Sequence, residues 1–142
     1  MALAMAVDYG AKRIGLAVGD DETRVATPLS MISGLGSPKK DAASLMRQVD
    51  EYGPDVIVIG LPLHMDGTEG EQAKVTRAFA CAVEALYDGR VELIDERLSS
   101  RGADELLSQS SMSRDRKKQR RDSVAAMIIL QAFLERPPSS PS

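Results

Sequence analysis

Residues 3–9 (LAMAVDY) and 13–20 (RIGLAVGD) are two strand-like apolar runs separated by Gly10, Ala11 and Lys12, a spacing that suits a hairpin with a short glycine-containing loop. A third run, RVATPLSMIS at 24–33, follows the acidic turn DDET, and the three together predict an antiparallel meander. Ser37 and Pro38 then open a helix in which Ala42, Leu45, Val49 and Tyr52 recur at helical spacing until Gly53-Pro54 ends it. The run DVIVIGLPL at 55–63 is apolar without alternation and rich in β-branched residues, as in a strand buried on both faces of a sheet. Val75, Ala78, Phe79, Ala82 and Leu86 form an apolar stripe that predicts a second helix between Gly70 and Tyr87. RVELIDERL at 90–98 returns to strand character, with Val91, Leu93 and Asp95 on one face and Glu92, Ile94 and Glu96 on the other. A third helix over 100–109 leads into a basic run, and a last helix carries Ala125, Ile128, Ile129, Ala132 and Phe133 on one stripe. Three strands in a row followed by alternating helices and strands describe an α/β fold, a mixed sheet with helices on its faces. The pattern fits a single domain over residues 1–136, with PPSSPS at 137–142 as a frayed, disordered tail.

One residue breaks the apolar pattern of the first strand. Asp8 stands just before the turn, where a charge left uncompensated among Met5, Val7 and their neighbours is costly. If helical crossovers make the strands ending near Tyr9, Gly60 and Glu96 parallel, their carboxyl ends share the sheet edge at which open α/β folds bind ligands. That edge gathers Asp8, the loop GLPLHMDGTEG, and Asp95 with Glu96. Asp122 lies three residues before Ala125 and seven before Ile129, and so belongs to the stripe of the last helix that packs on the sheet. Carboxylates drawn together repel one another unless a divalent cation sits among them. An oxygen-only ligand set selects a hard ion, Mg²⁺ or Mn²⁺.

Composition narrows the class. A chain of 142 residues, 43% hydrophobic, holds one packed core rather than two lobes. No apolar run approaches the roughly 20 residues of a membrane span, and the start lacks the basic region of a secretory signal. The lone Cys81 has no internal partner, and no Cys/His cluster offers zinc ligands. These features predict a cytoplasmic protein.

The net charge of −3 conceals a segregation. RDRKKQRR at 114–121 holds six of the eighteen basic residues and one of the twenty-one acids, a local +5 that leaves −8 elsewhere. A hard-cation site beside such an arm suits phosphodiester hydrolysis, because bound ions activate water and stabilise the leaving oxygen while the arm holds a polyanionic backbone. Arg114, Arg116, Lys117, Lys118, Arg120 and Arg121 are therefore candidate nucleic-acid contacts, together with Lys12, Arg13 and Arg97.

Four segments, VDYGAKRIGLAVGD, GLPLHMDGTEGEQA, DERLSSRGADELL and RDSVAAMIILQAFL, resemble in order the motifs of the YqgF family, also called RuvX, of pre-16S rRNA nucleases or Holliday junction resolvases. The resemblance covers most of the chain. It implies a ribonuclease H-like fold with a five-stranded mixed sheet, three antiparallel strands and then two parallel ones, flanked by helices. It also implies a metal-dependent endonuclease whose acids fall on Asp8, Glu96 and Asp122. The expected substrate is precursor 16S rRNA near its 5′ end, within pre-ribosomal particles, or a four-way DNA junction. Two positions depart from the family pattern: His64 where asparagine is common, and Ser99-Ser100 in place of a threonine-containing pair.

The residues themselves leave alternatives open. Asp8 could be a turn-initiating aspartate bonding hairpin amides. Strand alternation lets only one of Asp95 and Glu96 face the site easily, so Asp95 is a second candidate ligand whose alternative role is to pair with Arg97 or Arg101. Asp122 could be a helix cap, and the basic run a solvated face. DYGAKRIGLAV also resembles the first phosphate loop of actin-like ATPases and sugar kinases, which use two such domains. A non-catalytic RNA-binding factor is a third class. Symmetric junction resolution needs two active sites, so a homodimer favours the junction reading and a monomer weakens it.

Overall fold

A computed structural model of the chain describes residues 3–10, 12–23, 25–95 and 125–134. Within these, β1 (Leu3–Tyr9) and β2 (Arg13–Asp20) form the expected hairpin, antiparallel along their whole length from Leu3↔Asp20 to Tyr9↔Ile14. β3 (Ala26–Pro28) and β4 (Ile32–Ser33) both pair with β2. After α1 (Pro38–Tyr52), β5 (Val56–Leu61) lies parallel to β1. After α2 (Glu71–Leu86), β6 (Arg90–Asp95) lies parallel to β5. The sheet order is β3-β2-β1-β5-β6, which is the mixed arrangement that the order of elements predicted.

The third predicted strand is two short pieces rather than one. Ala17 pairs with Pro28 and Ile14 with Ile32, so two residues of β2, Gly15 and Leu16, face three on the other side, Leu29 to Met31. The extra residue is a bulge, which shifts the register of β4 by one relative to β3. Leu29 N–H still donates to Leu16 O at 2.8 Å. Pro28, with no N–H, sits at the end of β3, the kind of place where a proline spares the ladder.

The two faces of the sheet have different partners. Met5, Val7, Tyr9, Ile14, Leu16, Ile57 and Ile59 pack under Ala42, Leu45 and Val49 of α1 and Phe79, Ala80 and Val83 of α2. The opposite face is built from smaller side chains, Ala4, Ala6, Ala17, Val56 and Val58. They are covered by Ala126, Ile129, Leu130 and Leu134 of the helix at 125–134, here α3. All of β5 is buried, as an unbroken apolar run demands.

The stripes of α2 and α3 are rotated from the expected ones, while that of α1 is largely as expected. In α2 the buried positions are Ala73, Thr76, Phe79, Ala80 and Val83, whereas Val75 and Leu86 are exposed. This helix is apolar over much of its girth, so periodicity alone misplaces the face; alanines allow close approach to α1, and Thr76 is buried because its hydroxyl donates to Gln72 O at 2.8 Å. In α3 the buried stripe shares only Ile129 with the predicted one. In α1 Tyr52 is largely outside, and Asp41 joins Ala42, Leu45 and Val49 within. Cys81 is exposed on α2. Gly53 ends α1 with φ +61°, ψ 48°, a left-handed conformation in which its N–H reaches Val49 O. Among the described residues no helix is long and apolar enough to cross a membrane. The helix expected at 100–109 and the tail at 137–142 lie outside the described residues.

Candidate active site

β1, β5 and β6 are parallel, so Tyr9, Leu61 and Asp95 end on one edge of the sheet. Asp8 is one residue from that edge. It is half-buried and faces the α3 side, since side chains alternate along β1 and Ala4 and Ala6 pack on that side. Its antiparallel partner is Gly15. One step beyond the pair Val7↔Ile59, Asp8 is level with Gly60. Asp8 thus stands in a row whose neighbours in the sheet, Gly15 and Gly60, have no side chain.

Arg13 belongs to the same face as Gly15 and Ala17 and is exposed at the hairpin, next to exposed Lys12. The sheet therefore brings Asp8 and Arg13 to one side of one edge. Asp95 pairs with Leu61, and Ile94 with Gly60, so Asp95 belongs to the α1/α2 face and Ile94 to the face of Asp8. The second candidate ligand, Asp95, is thereby placed on the face opposite Asp8, as strand alternation separates it from Ile94. Glu96, Arg97, Asp122 and the basic residues Arg114, Arg116, Lys117, Lys118, Arg120 and Arg121 lie outside the described residues.

A cluster that the sequence did not reveal sits directly beneath Asp8. Tyr9 points to the opposite face, where its hydroxyl donates to Asp41 Oδ2 at 2.5 Å and its ring stacks on Phe79 with centroids 4.1 Å apart. Asp41 is only 1% exposed; its second oxygen accepts the Leu35 N–H at 2.6 Å. Its place in the first turn of α1 lets the helix dipole favour the negative charge. Tyr9 O accepts from Gln72 Nε2 at 3.2 Å. Burial first, then the hydrogen bond to Asp41 and that residue's charge, hold the Tyr9 phenol well above its ordinary range. The available signal was an aspartate at a position adjoining the apolar stripe of α1, yet Asp41 reads equally well as a first-turn acid facing water.

The loop between β5 and α2 is a tight hairpin. Leu63 bridges Glu69, His64 N–H donates to Thr68 O at 2.9 Å, and Gly67 turns the chain at φ +89°. Asp66 accepts from both the hydroxyl and the N–H of Thr68, at 2.7 and 3.0 Å, which lowers its pKa. Arg77 donates twice to Glu69, at 2.6 and 2.8 Å, and lowers that carboxyl likewise. His64 is part of this frame: a Cβ on Gly70 would come within 2.5 Å of His64 Nε2.

A profile of the RuvX family, described as Holliday junction resolvase, matches residues 2–136. The chain belongs to the RuvX family. Its relatives include a protein of Neisseria gonorrhoeae named "Putative pre-16S rRNA nuclease", 40% identical over 136 residues, covering 96% of this chain and 89% of that one. A protein of Chloroflexus aurantiacus with the same name is 38% identical over 140 residues, covering 99% and 91%. Among solved structures, Thermus thermophilus RuvC in complex with a Holliday junction substrate superposes with a TM-score of 0.62 at 14% identity, covering 96% of this chain and 98% of that one. RuvC from the same organism without that description gives 0.58 at 12% identity. At such identities the likeness establishes the fold, which is ribonuclease H-like, as the RuvX motifs implied.

Family membership raises the question of a divalent cation. Among the described residues no three of His, Cys, Asp and Glu come together. What the RuvX chain does present among the described residues is one carboxylate on the central strand, flanked in the sheet by Gly15 and Gly60. A carboxylate is the kind of hard oxygen donor that a divalent cation such as Mg²⁺ or Mn²⁺ takes.

Proposed function

We propose that this RuvX protein is an endonuclease that hydrolyses phosphodiester bonds in precursor 16S rRNA, with a divalent cation held by Asp8, Glu96 and Asp122. The observation that carries the reading is the position of Asp8, on the central strand, at the ligand-binding edge, facing α3 between two glycines. Three further points support it. Asp95 belongs to the opposite face from Asp8, which favours Glu96 within that pair. Asp122 precedes the buried Ala126, Ile129 and Leu130 by four, seven and eight residues, the spacings of one helical face. The relatives from N. gonorrhoeae and C. aurantiacus are named for pre-16S rRNA.

Mg²⁺ or Mn²⁺, when bound, supplies an activated water and charge stabilisation for the leaving oxygen. The chain's own part is to hold the carboxylates rigidly. Asp8 is fixed by pairing within the sheet, so the oxygens that meet the cation need little reorganisation. Lys12, Arg13, Arg97 and the run Arg114, Arg116, Lys117, Lys118, Arg120 and Arg121 bind and orient the backbone phosphates. No histidine is needed as base, and the His64 side chain packs beside Gly70.

A second reading, resolution of four-way DNA junctions, is favoured by the description of the family profile. The experiment is a side-by-side assay of a precursor 16S fragment and a synthetic junction with Mg²⁺, Mn²⁺ or chelator. Metal-dependent cutting near the 5′ end of the RNA supports the first reading, and paired symmetric nicks in the junction support the second. Binding without cutting of either marks a non-catalytic RNA-binding factor.

A further inference from the structure

We propose that Asp41, acting through Tyr9, is a positioning residue for Asp8: the buried Tyr9–Asp41 pair sets the position of the end of β1 and with it the carboxylate that the proposed nuclease reading makes a metal ligand. The inference rests on that reading and concerns residues that touch neither metal nor substrate.

The register shows why the end of β1 needs an anchor. Pairing with β2 runs through Asp8 and Tyr9, but pairing with β5 stops at Val7↔Ile59. Tyr9 takes over there with attachments to both helices: its ring stacks on Phe79, its carbonyl accepts from Gln72, and its hydroxyl donates to Asp41. Because side chains alternate, pulling Tyr9 down onto the helical face presents Asp8 on the other. Asp41 is in turn held by the Leu35 N–H, so the peg is fixed at its far end.

The chemistry of the pair argues for position rather than stability alone. A carboxylate 1% exposed is expensive to bury, and its two hydrogen bonds and helix dipole only offset that cost. An apolar residue would fill the same space at lower cost. What an apolar residue lacks is direction: a short charge-assisted hydrogen bond fixes where the phenol, and the backbone behind it, can sit.

The test compares Tyr9→Phe and Asp41→Asn in the full chain with Val49→Ala, a buried control in the same core outside the cluster. Mn²⁺ affinity is read by electron paramagnetic resonance of the free ion, and kcat and KM from cleavage of the precursor RNA, at a temperature where every variant is folded. Groups bonded directly to a metal ligand change affinity or activity by about 10–100-fold; one bond further out we expect about 3–10-fold. Tyr9→Phe and Asp41→Asn should therefore weaken Mn²⁺ binding and lower kcat by that factor with KM unchanged. The double variant should be no worse than either single one, and Val49→Ala should lower only the melting temperature. If Asp41→Asn does not fold, Tyr9→Phe decides alone. Variants that bind Mn²⁺ and cut as the parent does, or are impaired no more than Val49→Ala, overturn the proposal. A parent protein that neither binds Mn²⁺ nor cuts overturns the nuclease reading, and this inference with it.

Discussion

Asp8 is the residue on which the proposed chemistry turns. It is half-buried in a strand end rather than in the core, so Asp8→Asn should leave the fold intact while removing the charge that a cation needs. Losing one electrostatic group of this kind costs about 10²–10³-fold in rate. A drop of that size in cleavage, with RNA binding and melting temperature kept, is the expected outcome of a paired binding and cleavage assay. Tyr87 offers a test away from the site. Its hydroxyl donates to Pro54 O at 2.6 Å, and burial, then the nearby Asp55 charge, raise its pKa above the ordinary value of 10.0. A raised folded pKa means that this contribution is complete below about pH 10 and is lost as pH climbs through the folded value. Urea unfolding at pH 9, 10 and 11 should show part of the alkaline loss of stability vanish in Tyr87→Phe, which should itself cost about 0.5–1.5 kcal/mol at pH 9.

At the scale of elements, Phe79 joins α2 to β1. It is fully buried and stacked on Tyr9, so Phe79→Ala should cost about 3–5 kcal/mol in chemical denaturation. Gly53→Ala forces an L side chain into the left-handed region, at about 1–2 kcal/mol. The elements were legible in the sequence where one signal dominated. β1, β2 and β5 are apolar runs bounded by turns, Gly10 to Lys12 between the first two and Gly53-Pro54 before the third, and α1 has both a proline start and a glycine stop. Facing was legible in strands, where the period of two leaves no ambiguity, as with Asp95 and Ile94, and in α1, whose Ala42, Leu45 and Val49 are buried as expected. In α2, alanines on several sides blurred the stripe, and burial of Thr76 depends on an internal hydrogen bond that no periodicity registers. The bulge after β3 and the Tyr9–Asp41 pair are tertiary facts, created by register and by a contact 32 residues apart in sequence.

For the whole molecule, the proposed reading makes the charge of the 114–121 run, +5 against −8 elsewhere in the sequence, govern binding. Replacing the six basic residues of 114–121 by glutamine should weaken RNA binding and flatten its salt dependence. Each lost phosphate contact should reduce the slope of log K against log salt by about 0.7 for single strands. The order of elements and the position of Asp8 were legible from sequence alone, because a carboxylate inside an apolar strand needs a reason. That Asp95 belongs to the opposite face required the register of β5 against β6. The most direct measurement is cleavage of a precursor 16S fragment by the parent protein and by Asp8→Asn, each with Mg²⁺, Mn²⁺ or chelator. The parent should cut only with metal, and Asp8→Asn should bind the RNA equally well and leave it whole. Cutting that survives chelation, or an Asp8→Asn protein that cuts at the parental rate, would contradict the account.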